Sequence, residues 1–187
     1  MRLNRFLAHS GIDSRRKCDD LIFKKQIKVN GITVTDFSYQ VKNEDIVQWN
    51  NQIVTIDNIR VVYLINKPRG YISTNSKIQA KKRVIDLLPG NKRLFTIGRL
   101  DRDTTGAILV TNDGTLANKL LHPKYRKEKV YLVKTKIDID IDKIIEFEKG
   151  MTLENGDKVI GKLRKLEKKN KFFLWEIILT EGKNHEV

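Results

Sequence analysis

The stretch Phe95-Thr96-Ile97-Gly98-Arg99-Leu100-Asp101-Arg102-Asp103-Thr104-Thr105-Gly106-Ala107-Ile108-Leu109-Val110 sets two apolar, β-prone runs on either side of a polar turn. A purely structural hairpin needs only a short Asn-Gly or Asp-Gly connection. This turn instead holds Asp101 and Asp103, Arg99 and Arg102, Thr104 and Thr105 between strands that read as buried. Two readings fit it. In one, Asp and Thr side chains simply bond their own backbone. In the other, the turn is a reaction centre held at the end of a sheet, and the surrounding chain has to decide.

Working outward, residues 94–97 and 107–110 are the flanking strands. Upstream, Val61-Val62-Tyr63-Leu64-Ile65 is a continuous apolar run and reads as a buried strand. It ends in Asn66-Lys67-Pro68-Arg69-Gly70-Tyr71, where Pro and Gly enforce a turn. Residues 84–90 read as a short helix stopped by Pro89-Gly90. Downstream, Thr111-Asn112-Asp113-Gly114 is a turn, and Thr115 is placed to cap a helix over 116–121. Residues 127–135 alternate as a strand, and Asp142 is placed to cap a helix over 143–148. Residues 159–166 and 172–180 pair as a hairpin across Lys168-Lys169-Asn170-Lys171. No strict βαβ alternation and no glycine-rich phosphate loop occurs. An α+β fold with a mixed, antiparallel-rich sheet is the expectation.

The first 58 residues have a different character. Leu3, Phe6, Leu7 and Ile12 form a helical stripe ending near Gly11, and Ser14 stands where the N-cap of a second helix belongs. Ile27 to Val34 alternates around Asn30-Gly31, a strong hairpin signal. Further strands are expected over 38–41, 46–49 and 52–56, with a turn at Asn50-Asn51. Up to Val34 there are eight Lys or Arg against three Asp. Arg2, Arg5, Arg15, Arg16, Lys24, Lys25 and Lys28 would line one face if the two helices pack side by side. A one-signed excess on a unit with little core of its own points to phosphate binding. The join lies near Asn58 and Ile59, giving domains of 1–58 and 60–187.

Composition supports that direction. The 187 residues are 40% hydrophobic, enough for a real core, and carry a formal charge of +14. Such a cationic balance points to a polyanion, with nucleic acid ahead of an anionic membrane surface. No apolar run approaches the roughly 20 residues of a membrane span, and the first residues lack the pattern of a signal peptide. Cys18 is the sole cysteine, and His9, His122 and His185 are dispersed, so neither a disulfide nor a metal site is indicated. A cytoplasmic, metal-free monomer is expected, without a coiled coil or an obligate dimer patch.

Several motifs fall in one order. Arg2-Leu3-Asn4-Arg5-Phe6-Leu7, Gly11-x-x-Ser14-Arg15-Arg16 and Ile27-Lys28-Val29-Asn30-Gly31 open the chain. Asn66-Lys67-Pro68-x-Gly70 follows, then Gly98-Arg99-Leu100-Asp101-x-x-Thr104-x-Gly106, Thr111-Asn112-Asp113-Gly114, Lys129-x-Tyr131 and Glu181-Gly182-Lys183-Asn184-His185-Glu186-Val187. The first group resembles the S4-type RNA-binding domain, with Ser14 in its contact turn. The whole series resembles the pseudouridine synthases of small- and large-subunit ribosomal RNA, which carry such a domain in front.

The resemblance implies that a uridine in rRNA is converted to pseudouridine without metal or cofactor. Weak loop features, including Leu121-His122-Pro123 and Leu153-Glu154-Asn155-Gly156, lean towards 23S over 16S rRNA. It maps the catalytic carboxylate onto Asp101, which initiates cleavage of the N1–C1′ bond either as a nucleophile or by removing a proton. It maps an active-site tyrosine, stacking on the base and assisting at C5, onto Tyr131, for which a core position on the strand is the plain alternative. Arg99, Arg102, Thr104 and Lys67 are implied as substrate-positioning residues, and the motif leaves the place of Asp103 free. Family members continue past the valine matched by Val187 with a basic residue that pairs with the catalytic aspartate. The resemblance therefore implies a catalytic domain incomplete at its C-terminus. Competing readings are a noncatalytic RNA-binding or ribosome-assembly factor that keeps the fold, and, more remotely, a synthase acting on tRNA.

Overall fold

The computed structural model describes residues 1–76, 79–90, 92–153, 156–169 and 171–180. The closing motif at 181–187, Asn170 of the last hairpin and Glu154-Asn155 lie outside the described residues. The chain divides into two compact units, 1–117 and 118–187.

The first unit begins with helices α1 (Leu3–His9) and α2 (Arg15–Phe23). Ser14 does cap α2, its hydroxyl accepting from the Lys17 amide at 3.3 Å. A four-stranded antiparallel sheet follows, ordered β2-β1-β3-β4, from β1 (Ile27–Val29), β2 (Ile32–Thr33), β3 (Val47–Trp49) and β4 (Gln52–Ile53). Both hairpins turn through positive φ, 52° and 80° at Asn30 and Gly31, 50° and 60° at Asn50 and Asn51. Such turns match the twist of the strands they join. Leu3, Leu7, Cys18, Ile22, Ile27, Val29 and Val47 close the core between helices and sheet. Residues 38–41 do not form the expected strand; they contribute one isolated bridge, Arg2 to Gln40. The carboxylate of Asp36 captures both the amide and the hydroxyl of Ser38, a local turn that competes with extension.

The same unit continues with a three-stranded antiparallel sheet ordered β5-β7-β6: β5 (Val62–Lys67), β6 (Phe95–Ile97) and β7 (Gly106–Thr111). The sixteen residues quoted first are thus a hairpin whose two strands pair Ile97 with Leu109 and Phe95 with Thr111. Val84, Leu94, Ile108 and Val110 form its core, under a single 3₁₀ turn at Val84–Leu87. Strand β5 is not buried on both faces as its apolar run suggested. Its burial alternates, leaving Val62 51% and Leu64 71% exposed. A continuous apolar run has no period of its own from which to read that alternation.

Helix α3 (Gly114–Leu121) starts earlier than expected, because Asp113 rather than Thr115 caps it, accepting from the amides of Thr115 and Leu116 at 2.8 and 3.1 Å. In the second unit, α4 (Ile141–Gly150) has Asp140, not Asp142, at the N-cap position, without a side-chain capping bond. There β9 (Met151–Thr152) pairs with β10 (Lys158–Val159), and a second three-stranded sheet runs β11-β12-β8, from β8 (Lys129–Thr135), β11 (Gly161–Lys169) and β12 (Phe172–Leu179). Val159, Ile177 and Leu179 are its buried centre, with Tyr131, Val133 and Phe147 against them. All sheets pair antiparallel, and the chain is α+β as expected.

Gly161 is closely packed against backbone, sheet and helix in this unit. A methyl group there would stand 2.7 Å from the carbonyl oxygen of Ile178 and from the side chain of Leu179, and 2.8 Å from the Phe147 ring. Since one obstacle is backbone, Gly161→Ala is expected to destabilise the protein by about 1–3 kcal/mol. Chemical denaturation reads the loss; an unshifted midpoint would show that sheet and helix part more easily than this packing implies.

Candidate active site

The backbone of the turn between β6 and β7 is held at several points. Ser73 grips Leu100 from both sides, its hydroxyl donating to the Leu100 carbonyl at 2.9 Å and accepting from the Leu100 amide at 3.1 Å. The Asp101 carbonyl accepts from the Thr104 amide at 3.1 Å, and the Arg102 carbonyl from the Gly70 amide at 2.8 Å. Arg69 donates from Nε to the Asp103 carbonyl at 3.3 Å. Gly70 makes its part of this contact at φ 88°, a conformation that costs any other residue more.

The strongest brace is Lys67. It sits at the end of β5, where it pairs with Gly106, and is fully buried, 0% exposed. Its Nζ donates to the carbonyls of Pro68 at 3.2 Å and Arg102 at 3.1 Å. Burial pulls the pKa of this ammonium down from the lysine value, while the charges of Asp103 and Asp101 pull it up. One of these bonds holds its own neighbour Pro68 and the other reaches the Asp101 turn, so the ammonium ties the two turns together.

With the backbone tied down, the side chains of Arg99, Asp101, Arg102 and Asp103 face solvent, and Thr104 is half-buried. A carboxylate on a rigid, solvent-facing turn flanked by two guanidinium groups suits an attack on, or proton removal from, an anionic substrate. In the other unit, Tyr131 lies mid-strand on β8 opposite Ile177, half-buried against that unit's core. Among the described residues no group of three or more His, Cys, Asp or Glu is arranged to hold a metal ion.

The profile described as RNA pseudouridylate synthase matches residues 61–187, and the S4 domain profile matches residues 1–47. The chain belongs to the RNA pseudouridylate synthase family. Over its full length it is 38% identical to the Ribosomal large subunit pseudouridine synthase B of Bacillus subtilis, spanning 77% of that protein. It is 36% identical to the Dual-specificity RNA pseudouridine synthase RluF of Escherichia coli, again over the whole chain and over 63% of that longer protein. A solved structure of a pseudouridylate synthase superposes with a TM-score of 0.65 at 25% identity, over 99% of this chain and 79% of that one.

In this pseudouridylate synthase the S4 segment presents the cations singled out from the sequence. Arg2, Arg5, Arg15, Arg16, Lys24, Lys25 and Lys28 are all exposed. Two of them already have neighbours: Arg5 reaches the Thr115 hydroxyl at 3.5 Å and Lys28 the Asn51 side chain at 3.5 Å. Ser14 is committed to its helix cap. Among the described residues no helix is long and apolar enough to cross a membrane.

Three features of the synthase were missed in the sequence. Ser73 carries no motif of its own. Phe23, at the end of α2 and next to Lys24 and Lys25, is 73% exposed, an aromatic face offered beside cations; its place in an apolar helical run concealed that. Arg93 holds a half-buried guanidinium over the ring of Phe95, and nothing in Lys92-Arg93 distinguishes it from ordinary surface charge.

Proposed function

We propose that this chain isomerises a uridine of ribosomal RNA to pseudouridine, large-subunit RNA being the favoured substrate, with Asp101 initiating cleavage of the N1–C1′ bond. The carrying observation is the Asp101 turn, whose backbone is clamped by Lys67, Ser73 and Gly70 so that its carboxylate meets solvent in one fixed place. The names of the Bacillus subtilis and Escherichia coli relatives support RNA, and ribosomal RNA in the first case. The reaction keeps every atom of the uracil and ribose. The N1–C1′ bond breaks, the base turns, C5 bonds to C1′, and the C5 proton moves to N1 through base and solvent.

In this reading residues 1–58 grip folded RNA by its backbone, since A-form grooves hide most base edges, and residues 60–187 form the catalytic domain. Arg99, Arg102 and Thr104 position the nucleotide, and Tyr131 stacks on the extruded base. Extrusion costs a few kcal/mol of unstacking, which cationic and aromatic contacts offset. The protein works as a monomer in the cytoplasm.

Incubating the protein with unmodified large- and small-subunit rRNA transcripts, followed by carbodiimide treatment and primer extension, tests the assignment. A new stop confined to large-subunit RNA is expected. A stop in small-subunit RNA alone would reverse the substrate preference. RNA retention without any stop would favour the noncatalytic binding factor.

A further inference from the structure

Within the first unit, the end of α1 and the segment before β6 enclose a cleft of about 320 Å³ lined by His9, Gly11, Asp57, Lys92, Arg93 and Asn112. Its carboxylate, amide and ammonium groups are already engaged. Asp57 accepts from Lys92 at 2.6 Å and from the Ile59 amide at 2.9 Å. Asn112 accepts from the Val61 amide and donates to the Ile59 carbonyl. Asp113, near the cleft, caps α3, and Asp13, at the start of α2, pairs with Lys17 at 3.1 Å. Arg93 is half-buried, yet among the described residues its guanidinium has no hydrogen bond or ion pair, only the Phe95 ring at 5.8 Å.

A desolvated guanidinium without an acceptor is costly to keep. An anion entering the cleft would satisfy it in the bidentate fashion suited to phosphate. Arg93 itself feels the carboxylate of Asp13, which is shared with Lys17, whereas the charges around His9 are mostly cationic. His9 feels Arg5, Arg60 and Arg15, which together with burial hold it below the ordinary histidine range against the opposing pull of Asp113. The cleft therefore has a surplus of positive charge, and each nearby carboxylate has a partner.

We propose that this cleft binds a backbone phosphodiester of the RNA substrate, with Arg93 as its principal ligand. The proposal rests on the RNA-modifying function above and adds to it a phosphate contact made by the catalytic segment, outside the basic residues of the S4 segment. Strand β6, three residues or about 10 Å long, lies between Arg93 and the Asp101 turn. A phosphate held at Arg93 is thus a second anchor, set back from the reacting nucleotide and next to the S4 helices.

Filter binding of the unmodified large-subunit rRNA transcript by the full chain, over a series of KCl concentrations, provides the test. Arg93→Gln is expected to weaken binding roughly tenfold, the worth of one charge-assisted contact. It should also reduce the slope of log K against log salt by about 0.7–0.9. Arg93→Lys should recover the slope but not the whole affinity. Unchanged slope and affinity in Arg93→Gln would overturn the proposal. Wild-type protein that fails to retain RNA at all would instead overturn the RNA-modifying function itself.

A second measurement needs no variant. Phenylglyoxal modification of Arg93, followed by mass spectrometry, should be slowed by the transcript and much less by inorganic phosphate at matched phosphate concentration. Equal protection by inorganic phosphate would mean a site for free anions only. No protection by either would mean that the cleft stays empty when RNA binds.

Discussion

Asp101→Asn is expected to lower isomerisation by at least about 10³-fold, in the range for removing a group that acts directly at the reacting atoms. The substitution leaves the backbone clamp of the turn in place. The side chain is solvent-facing, and the turn is fastened through the carbonyls of Leu100, Asp101, Arg102 and Asp103 and the amide of Leu100, none of which the change removes. Thermal stability and RNA retention should therefore match the wild type while primer-extension stops vanish. Stops that persist in Asp101→Asn would remove Asp101 from the chemistry.

Lys67→Met should be nearly as damaging from a greater distance. It keeps most of the buried volume but deletes the donor shared by the Pro68 and Arg102 carbonyls. Leaving such acceptors unsatisfied costs about 1–3 kcal/mol each. A turn released by even 1 Å can lose about 10²-fold in rate, so the variant should isomerise slowly although Asp101 is intact. The fall should appear in kcat more than in RNA affinity.

Its pH signature separates this role from simple loss of packing. Burial lowers the pKa of Lys67 in the folded chain. Between that lowered value and the ordinary lysine pKa of about 10.4 the unfolded state binds more protons, so this lysine makes stability rise with pH. Below the folded value the cost of burying the charge is present in full. Lys67→Met should flatten the alkaline rise in a denaturant series, and an unaltered pH profile would argue against a strained, buried ammonium.

What could be read from the sequence was local. Ser14 capped its helix, Asn30-Gly31 turned its hairpin, and the polar insertion at 98–105 joined adjacent strands, because each depends on residues a few positions apart. Errors arose where two local solutions competed: Asp36 drew Ser38 out of a strand, and Asp113 took the cap that Thr115 had suggested. The polar turn that carries Asp101 was legible because its motif is contiguous. Its bracing was not, since Ser73 and Lys67 meet the turn from 27 and 35 residues away. Arg93 was invisible for the same reason, its environment being assembled from α1, α2 and the segment preceding β5.

The buried sulfur of Cys18 has a practical consequence. The thiol is enclosed in the core shared by α1, α2 and the first sheet, and burial raises its pKa to about 11. A thiolate is the reacting species, so a maleimide added to the folded chain should label it only during openings of that core. As the sole cysteine in the sequence, it makes labelling rate a built-in clock for the breathing of the S4 segment. Slower labelling in the presence of rRNA would report, without any engineered probe, how firmly the bound RNA holds that segment shut.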